Sequence, residues 1–220
     1  MLISSRENPI IKEAAALVSD KKARKKSGLF VVEGARLCSE ACKSGAEVLR
    51  LFVTEEAEKR YPEYLKDLLS EAKEVYNITG SVAEKIGDTK TPQGVFAVCR
   101  IEEKPLDLNK NGVFVLLSGL QDPGNIGTIL RTADAMDVPV VLLEGCADPW
   151  SWKVIRSTMG AVFRVPVVRA GWEEVLTKCR EENIPIGVTA LSDRAVDIRT
   201  ASLSRMALVI GSEGQGVRRE

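Results

Sequence analysis

The sequence contains no histidine, and this absence removes the commonest general base of enzymes. Catalysis by a serine–histidine or cysteine–histidine pair is therefore excluded. The five cysteines are an odd number and form no CxxC pair, which argues against a zinc site and against a disulfide framework. We therefore predict that the protein binds no metal and that it works in a reducing, cytoplasmic compartment.

The sequence also lacks an excess of charge and any long apolar run. Lys plus Arg and Asp plus Glu both number 31, so binding of nucleic acid would have to come from local basic patches. No window approaches the roughly 18 apolar residues of a membrane span, and the N-terminus has no signal-peptide core. We predict no membrane contact. A length of 220 residues fits one large domain or two modest ones.

Strand and helix patterns alternate along the whole chain, which predicts an α/β fold. In "NPIIKEAAALVSD" the apolar residues 10, 11, 14, 17 and 18 form a helical stripe, and "LFVVEG" is typical of a buried strand. In the second half, near-continuous apolar strands such as "VFVLLS", "AVFRVPVV" and "MALVI" predict a parallel sheet covered on both faces. We predict a small N-terminal α/β domain at 1–102, a polar linker at 103–112 and a parallel-sheet domain at 113–220.

The loop "SGLQDPGNIGT" follows the first strand of the second half, where ligands of parallel sheets bind. It nearly matches a P-loop, but Asn125 and Ile126 replace the required Lys and Ser/Thr, which argues against hydrolysis of a nucleoside triphosphate. Asn125 is either a helix N-cap, with Ile126 as the first helical residue, or a functional side chain. Arg131 lies off the apolar face of the following helix, and a lone arginine there is often only solvated.

Two further loops also follow strands of the second half. In "TALSDRA" the small residues Thr189 and Ala190 let a flat ligand approach the backbone. In "MALVIGSEGQGV" a short apolar strand runs directly into Gly211 and Gly214, whose backbone groups are open to a ligand. Glu213 stands between these glycines, either as a functional carboxylate or as an ordinary turn residue.

The N-terminal half has one basic run, "KKARKKSG" at 21–28. Such runs are usually solvated helix faces. Together with Arg36 in the helix after "VVEG", the run offers a basic edge for phosphates. The candidate residues for binding nucleic-acid phosphates are Lys21, Lys22, Arg24, Lys25, Lys26 and Arg36.

Taken jointly, these stretches resemble the SpoU/TrmH family of RNA ribose methyltransferases, part of the SPOUT superfamily. "LQDPGNIGTILRTADAMDV" resembles the first motif of the family and "LVIGSEGQGV" the second, while "VIRSTMGAVFRVPV" resembles the segment between them. "NPIIKEAAAL" and "GLFVVEGARLCSEA" resemble the RNA-binding N-terminal domain of the family. The similarity covers nearly the whole chain.

The resemblance implies S-adenosyl-L-methionine as methyl donor and a ribose 2′-hydroxyl of RNA as acceptor, most of all in ribosomal RNA, with transfer RNA as the other candidate. It implies a homodimer and a deep trefoil knot in the catalytic domain. It makes Asn125, Arg131 and Glu213 catalytic and assigns cofactor binding to Thr189, Ala190, Leu191, Gly211, Ser212 and Gly214. The family assigns the role of base to Arg131, although a guanidinium resists deprotonation and is better suited as a fork that binds phosphate.

The third motif of the family is expected to follow "GSEGQGVRRE" at 211–220, so we expect a catalytic domain that is incomplete at its C-terminal end and a weak enzyme. Two other functions stay open at this point. One is an RNA-binding protein without catalysis, which predicts no dependence on S-adenosylmethionine. The other is a nucleotide-binding α/β protein, which Asn125 disfavours by standing where a P-loop has its lysine.

Overall fold

The structure is a computed structural model, and it describes residues 1–87, 89, 91–108, 112–193, 195–201, 204–214 and 216–217. The chain forms two compact units. Unit 1 consists of Met1–Glu102 and Asp148–Phe163, and unit 2 of Glu103–Ala147 and Arg164–Glu220. The division of the chain into an RNA-binding domain, a linker and a methyltransferase domain stays a prediction, because compactness alone does not test those roles. Residues 109–111 of the predicted linker lie outside the described residues.

Unit 1 is built on a five-stranded mixed sheet with the strand order β1-β4-β3-β5-β2, in which β5 runs antiparallel to both of its neighbours. Its elements, in chain order, are β1 Leu2–Ile3, α1 Pro9–Ser19, α2 Lys21–Ser27, β2 Leu29–Glu33, α3 Ala35–Lys43, β3 Val48–Thr54, α4 Glu55–Arg60, α5 Pro62–Glu71, β4 Glu74–Ile78, α6 Gly80–Ile86, β5 Val95–Arg100 and α8 Trp152–Thr158.

Helix α1 forms where the apolar stripe predicts it. Asn8 caps the helix by accepting a hydrogen bond from the backbone N–H of Ile10, and Pro9 occupies the first helical position, where its missing N–H costs nothing. The stripe buries Ile11, Ala14 and Leu17 in the core of unit 1, together with side chains of the sheet and of α6. Burial of this kind, at about 25 cal/mol per Å² of apolar surface, stabilises the helix on the sheet.

Unit 2 is a five-stranded sheet with the order β8-β7-β6-β10-β9, and every pairing is parallel, as the sequence predicts. Its elements, in chain order, are β6 Gly112–Ser118, α7 Pro123–Met136, β7 Val140–Leu142, β8 Val167–Arg169, α10 Trp172–Glu181, β9 Ile186–Val188, a 3-10 turn at Ile198–Thr200 and β10 Arg205–Gly211; α9 Ala161–Arg164 spans the boundary between the two units. The central strands contribute Phe114, Leu116, Val141 and Val209 to a buried core. Strand order does not establish how the chain is threaded, so the knot stays a prediction.

Two details of the sequence interpretation need correction. The segment "AVFRVPVV" is not one strand, because 161–164 form a helical turn and only Val167–Arg169 join the sheet. The predicted linker also contains two buried residues, although its composition is mostly polar. Leu106 and Leu108 lie in the core of unit 2, so this segment is packed against that unit and is not a free connection. Within the described part of the chain, no helix is both long and apolar enough to cross a membrane.

Candidate functional site

Helix α7 begins at the carboxyl end of the central strand β6. Gly119 turns the chain away from the strand with a φ of 67°, in the left-handed region that favours glycine. Asp122 is the N-cap, because its carboxylate accepts a 2.9 Å hydrogen bond from the backbone N–H of Asn125, and Pro123 takes the first helical position. The interpretation of Asn125 as the N-cap is therefore wrong, and its side chain is available for a contact other than capping.

The side chain of Asn125 contacts Glu213 in the second motif. The Nδ2 of Asn125 donates a 2.9 Å hydrogen bond to Oε1 of Glu213. The fold explains the meeting, since β6 and β10 are adjacent parallel strands paired from Gly112 with Arg205 to Ser118 with Gly211. The two motif loops leave the same edge of the sheet, which is where α/β proteins bind their ligands.

The glycine loop after β10 is folded back on itself. Ser212 and Gly216 exchange two backbone hydrogen bonds, of 3.1 and 2.8 Å. A Cβ at Gly211 would lie only 2.2 Å from the backbone of Gly216, so only glycine fits there. Gly216 itself has a φ of 62°. This tight turn leaves Glu213 and Gly214 exposed at its tip.

The third predicted loop follows β9, the strand beside β10 at the end of the sheet. The last pair of these strands joins Val188 with Val209, so Ala190 and Gly211 each follow two residues later at one edge. Thr189 uses both its backbone N–H and its hydroxyl, each at 3.0 Å, on the carbonyl of Val209. Thr189 thus anchors the loop, while Ala190 and Leu191 are exposed.

Arg131 lies on the exposed side of α7, and its Nη2 is 3.4 Å from the hydroxyl of Thr128. It follows Asn125 by six residues, which is about 9 Å along a helix axis at the usual rise per residue. Next along the helix, Asp134 accepts hydrogen bonds from the guanidinium of Arg164, at 2.6 Å for the shortest. The structure brings Asn125 and Glu213 into contact and sets Arg131 farther along the same helix.

Cys146 is the one thiol beside these loops in the described part of unit 2, and the sequence interpretation did not single it out. Its Sγ donates to the backbone carbonyl of Leu117 at the end of β6, at 3.1 Å. Burial raises the pKa of the Cys146 thiol above its ordinary value. The thiol therefore stays protonated near neutral pH, which disfavours it as a base or nucleophile.

The predicted RNA-binding residues lie in unit 1 and do not behave as one group. Lys21, Lys22, Lys25 and Lys26 are exposed on α2. Arg24 is only 4% exposed, so the assignment of Arg24 to RNA phosphates is wrong. Helical periodicity turns this one residue of the basic run inward. Arg36 is exposed near the start of α3.

Arg24 instead forms a buried ion pair that no local sequence pattern predicts. Its Nε lies 2.8 Å from a carboxylate oxygen of Asp148, and its Nη1 donates to the carbonyls of Leu17 and Val18. The pair fastens α2 to the segment at 148–163, which packs within unit 1. Within the described residues, no group of three or more His, Cys, Asp or Glu side chains is arranged to hold a metal ion.

Comparisons with known proteins agree with this arrangement. The SpoU rRNA Methylase family matches residues 112–220, and the MRM3-like substrate binding domain matches residues 8–97. The 23S rRNA (guanosine(2553)-2′-O)-methyltransferase RlmP of Bacillus subtilis is 33% identical over 216 residues, covering 98% of this chain and 84% of the relative. The human mitochondrial rRNA methyltransferase 3 is 33% identical over 171 residues, covering 72% of this chain and 39% of that protein.

A solved structure has the same fold. The AdoMet-bound rRNA methyltransferase from Sinorhizobium meliloti superposes with a TM-score of 0.86 at 28% identity, over 99% of this chain and 83% of the other. The chain belongs to the SpoU rRNA methylase family. This membership confirms the predicted resemblance, the α/β fold class and the enzyme class of RNA methyltransferase.

Proposed function

We propose that the protein transfers the methyl group of S-adenosylmethionine to a ribose 2′-hydroxyl of ribosomal RNA. The family and the 2′-O activity in the name of the Bacillus subtilis relative support this reaction. The observation in this chain that carries the proposal is the hydrogen bond between Asn125 and Glu213. It joins the two motif loops at the ligand-binding edge of the parallel sheet.

The proposed donor site lies where β9 and β10 end, and it uses Thr189, Ala190, Leu191, Gly211, Ser212 and Gly214. Support for S-adenosylmethionine comes from two similar solved structures that hold AdoMet, one from Sinorhizobium meliloti and one the SpoU methyltransferase AviRb from Streptomyces viridochromogenes. The residues present fit such a ligand, because the loop after β9 is exposed and is pinned to Val209 by Thr189. The tight turn at Gly211 and Gly216 holds the loop after β10, which forms the other side of the proposed site.

When bound, S-adenosylmethionine supplies a methyl group on a positively charged sulfur, which leaves as a neutral thioether. The chain therefore needs no acid for the leaving group. Its tasks are to align the ribose oxygen with the methyl carbon and to help the hydroxyl proton depart as the new O–C bond forms. Alignment alone contributes several kcal/mol to such reactions. Asn125 and Glu213 serve this task in the proposal by holding the two motif loops in register.

Arg131 acts in this proposal as a fork that binds a phosphate next to the target ribose. A guanidinium is a poor base and a good two-point donor, so Arg131 orients the acceptor rather than deprotonating it. Two parallel N–H donors match two phosphate oxygens, which fixes the direction of the ribose hydroxyl. The exposed position of Arg131 on α7 leaves room for RNA to approach that side of the helix.

RNA binding outside the reaction site is assigned to unit 1, through Lys21, Lys22, Lys25 and Lys26 on α2 and through Arg36. Four exposed ammonium groups on one short helix attract phosphates and release their counterions on binding. The match of residues 8–97 to a substrate binding domain supports the same assignment. The proposal includes a cytoplasmic location, which fits a ribosomal substrate and five unpaired cysteines.

The proposal also includes a homodimer. Several large apolar side chains of unit 2 are exposed on or after the edge strand β9, among them Val188 at 51%, Leu191 at 107% and Val196 at 75%. Exposed large apolar side chains grouped in one stretch of the chain suit burial against a second subunit. Sedimentation analysis is expected to give a dimer, and Val196→Asp is expected to shift the protein toward monomer.

The proposed function is tested by incubating the protein with tritiated S-adenosylmethionine and RNA isolated without its native modifications. Ribosomal RNA is expected to gain label, and transfer RNA is expected to gain much less. Label in transfer RNA alone would reassign the substrate. RNA binding without labelling, in a protein that does not bind S-adenosylmethionine, would favour a non-catalytic RNA-binding protein. Binding of ATP in preference to S-adenosylmethionine would favour a nucleotide-binding protein.

A further inference from the structure

A cavity of about 280 Å³ opens on unit 1, and its lining includes none of the residues proposed for catalysis or cofactor binding. It lies between the end of β2, the start of α3, the chain that precedes β5, and α8. The side chains that matter for its chemistry are Glu33, Arg36, Gln93, Trp152 and Arg156. Only Arg36 among them was singled out by the sequence.

One wall of the cavity is built to attract an anion. Arg36 and Arg156, which come from different helices, both line the cavity. The N-terminus of the nine-residue helix α3 lines it as well, and its N-cap Gly34 has no side chain to satisfy the first N–H groups. A Cβ on Gly34 would come within 3.1 Å of Oε1 of Gln93, so glycine keeps this wall open. Helix N–H groups and arginine forks together are the usual donors to phosphate.

The cavity also has an apolar, aromatic part. Trp152 is half-buried and lines the cavity together with the buried Ile155. An indole ring is a surface on which an unpaired base stacks, whatever its identity. Glu33 adds a carboxylate that accepts a 3.2 Å hydrogen bond from the hydroxyl of Thr89. A carboxylate repels a bare anion but accepts hydrogen bonds from the amino groups of bases. The wall chemistry therefore suits a ligand with a phosphate at one end and a base at the other.

We propose that this cavity binds one unpaired nucleotide of the substrate RNA, with its phosphate on Arg36 and Arg156 and its base against Trp152. At about 280 Å³ the cavity is close to the roughly 300 Å³ at which small-molecule sites begin, which suits a single nucleotide and is too small for a duplex. Sequence-specific recognition of RNA usually targets such splayed-out nucleotides. The inference rests on the proposed function, since it takes RNA as the substrate, and it adds a specific subsite within unit 1.

The test is an anisotropy titration of a short, fluorescein-labelled single-stranded RNA of mixed sequence, performed without S-adenosylmethionine. Arg36→Gln and Arg156→Gln are each expected to weaken binding by about tenfold and to lower the slope of log K against log salt by about 0.7, the value for one phosphate of a single strand. Trp152→Ala is expected to weaken binding by about tenfold or more, and Trp152→Phe to restore most of it. Arg180→Gln is the matched control, because it removes the same charge from α10, outside the cavity lining.

Thermal unfolding of each variant separates a folding defect from a binding defect, and the rescue by Trp152→Phe does the same for the aromatic wall. Photocrosslinking of the RNA is expected to label the peptide that contains Trp152 and Arg156. Affinity and salt slope unchanged in both arginine variants, relative to Arg180→Gln, would overturn the subsite while leaving methyl transfer intact. If the unaltered protein binds no RNA, the subsite and the RNA substrate fail together, whereas S-adenosylmethionine binding still reports on the donor site.

Discussion

The amide of Asn125 and the carboxylate of Glu213 are 2.9 Å apart although 88 residues separate them in the sequence. One belongs to the first turn of α7 and the other to the tip of the glycine turn after β10. A single hydrogen bond thus couples α7, the helix that carries Arg131, to the proposed donor loop. Four consequences of this and related contacts can be measured.

Disruption of the Asn125–Glu213 bond should lower the rate of methyl transfer more than it lowers stability. Asn125→Ala and Glu213→Ala, each of which removes one partner of the bond, are each expected to slow single-turnover transfer by at least about tenfold, since misalignment at a reacting centre is costly. Stability should fall by only about 1 kcal/mol, because the bond is exposed. The double variant should be less than additive, as expected for residues in contact. Fully additive rate effects would mean that the two residues act separately.

Arg131→Lys is expected to lose most methyl transfer, by about a hundredfold, and to keep S-adenosylmethionine affinity. Lysine keeps the charge but not the planar two-point fork. Isothermal titration of the cofactor and single-turnover assays at saturating RNA measure the two effects separately. A lysine variant with near-normal turnover would remove Arg131 from the proposed mechanism.

The four exposed lysines of α2 should contribute to RNA affinity through phosphate contacts alone. Replacing Lys21, Lys22, Lys25 and Lys26 by Gln, a good helix former, is expected to weaken RNA binding and to flatten its salt dependence. S-adenosylmethionine affinity should not change. A control with Gln at Lys59 and Lys66, on α4 and α5, should leave the salt slope nearly unaltered. Equal slopes in the two variants would identify the α2 lysines as an ordinary solvated face.

Arg24 should matter for stability instead of RNA affinity. Arg24→Met leaves the carboxylate of Asp148 buried without its partner, and the loss of one member of such a pair typically costs about 3–5 kcal/mol. Urea unfolding measures this cost, and a second change of Asp148→Leu should recover part of it. An Arg24 variant that keeps full stability but loses RNA affinity would restore the RNA-binding role that burial argues against.

The sequence predicted those parts of the fold that depend on local pattern. The stripe of α1 buried four of its five predicted residues and left Ile10 partly buried, and the apolar strands of the second half formed a parallel sheet. The loops at Asn125 and Glu213 could be chosen because carboxyl ends of parallel strands share one edge. The role of Asp122 as the N-cap could also have been predicted, since an Asp directly before a Pro is a common start of a helix.

The missed features depend on distant contacts or on mixed composition. Arg24 looked like its lysine neighbours because Asp148, its partner, is 124 residues away. Strand β4, "EVYNI", was overlooked because two of its five residues are exposed polar residues and only Ile78 is buried. The cavity at Trp152 and Arg156 could not be predicted because its lining is distant in sequence. Helix α8 lines one part of it, and β2 and α3, more than a hundred residues earlier, line another.

The most direct test of the central claim, methylation of a ribose 2′-hydroxyl in RNA, is mass spectrometry of nucleosides. Unmodified ribosomal RNA is incubated with the protein and S-adenosylmethionine that carries a deuterated methyl group, then digested to nucleosides and fragmented. The account predicts one nucleoside whose label stays with the ribose when the base is lost, and no such product with Arg131→Lys. Label that stays with a base, or no label in RNA from a protein that binds S-adenosylmethionine and RNA normally, would contradict it.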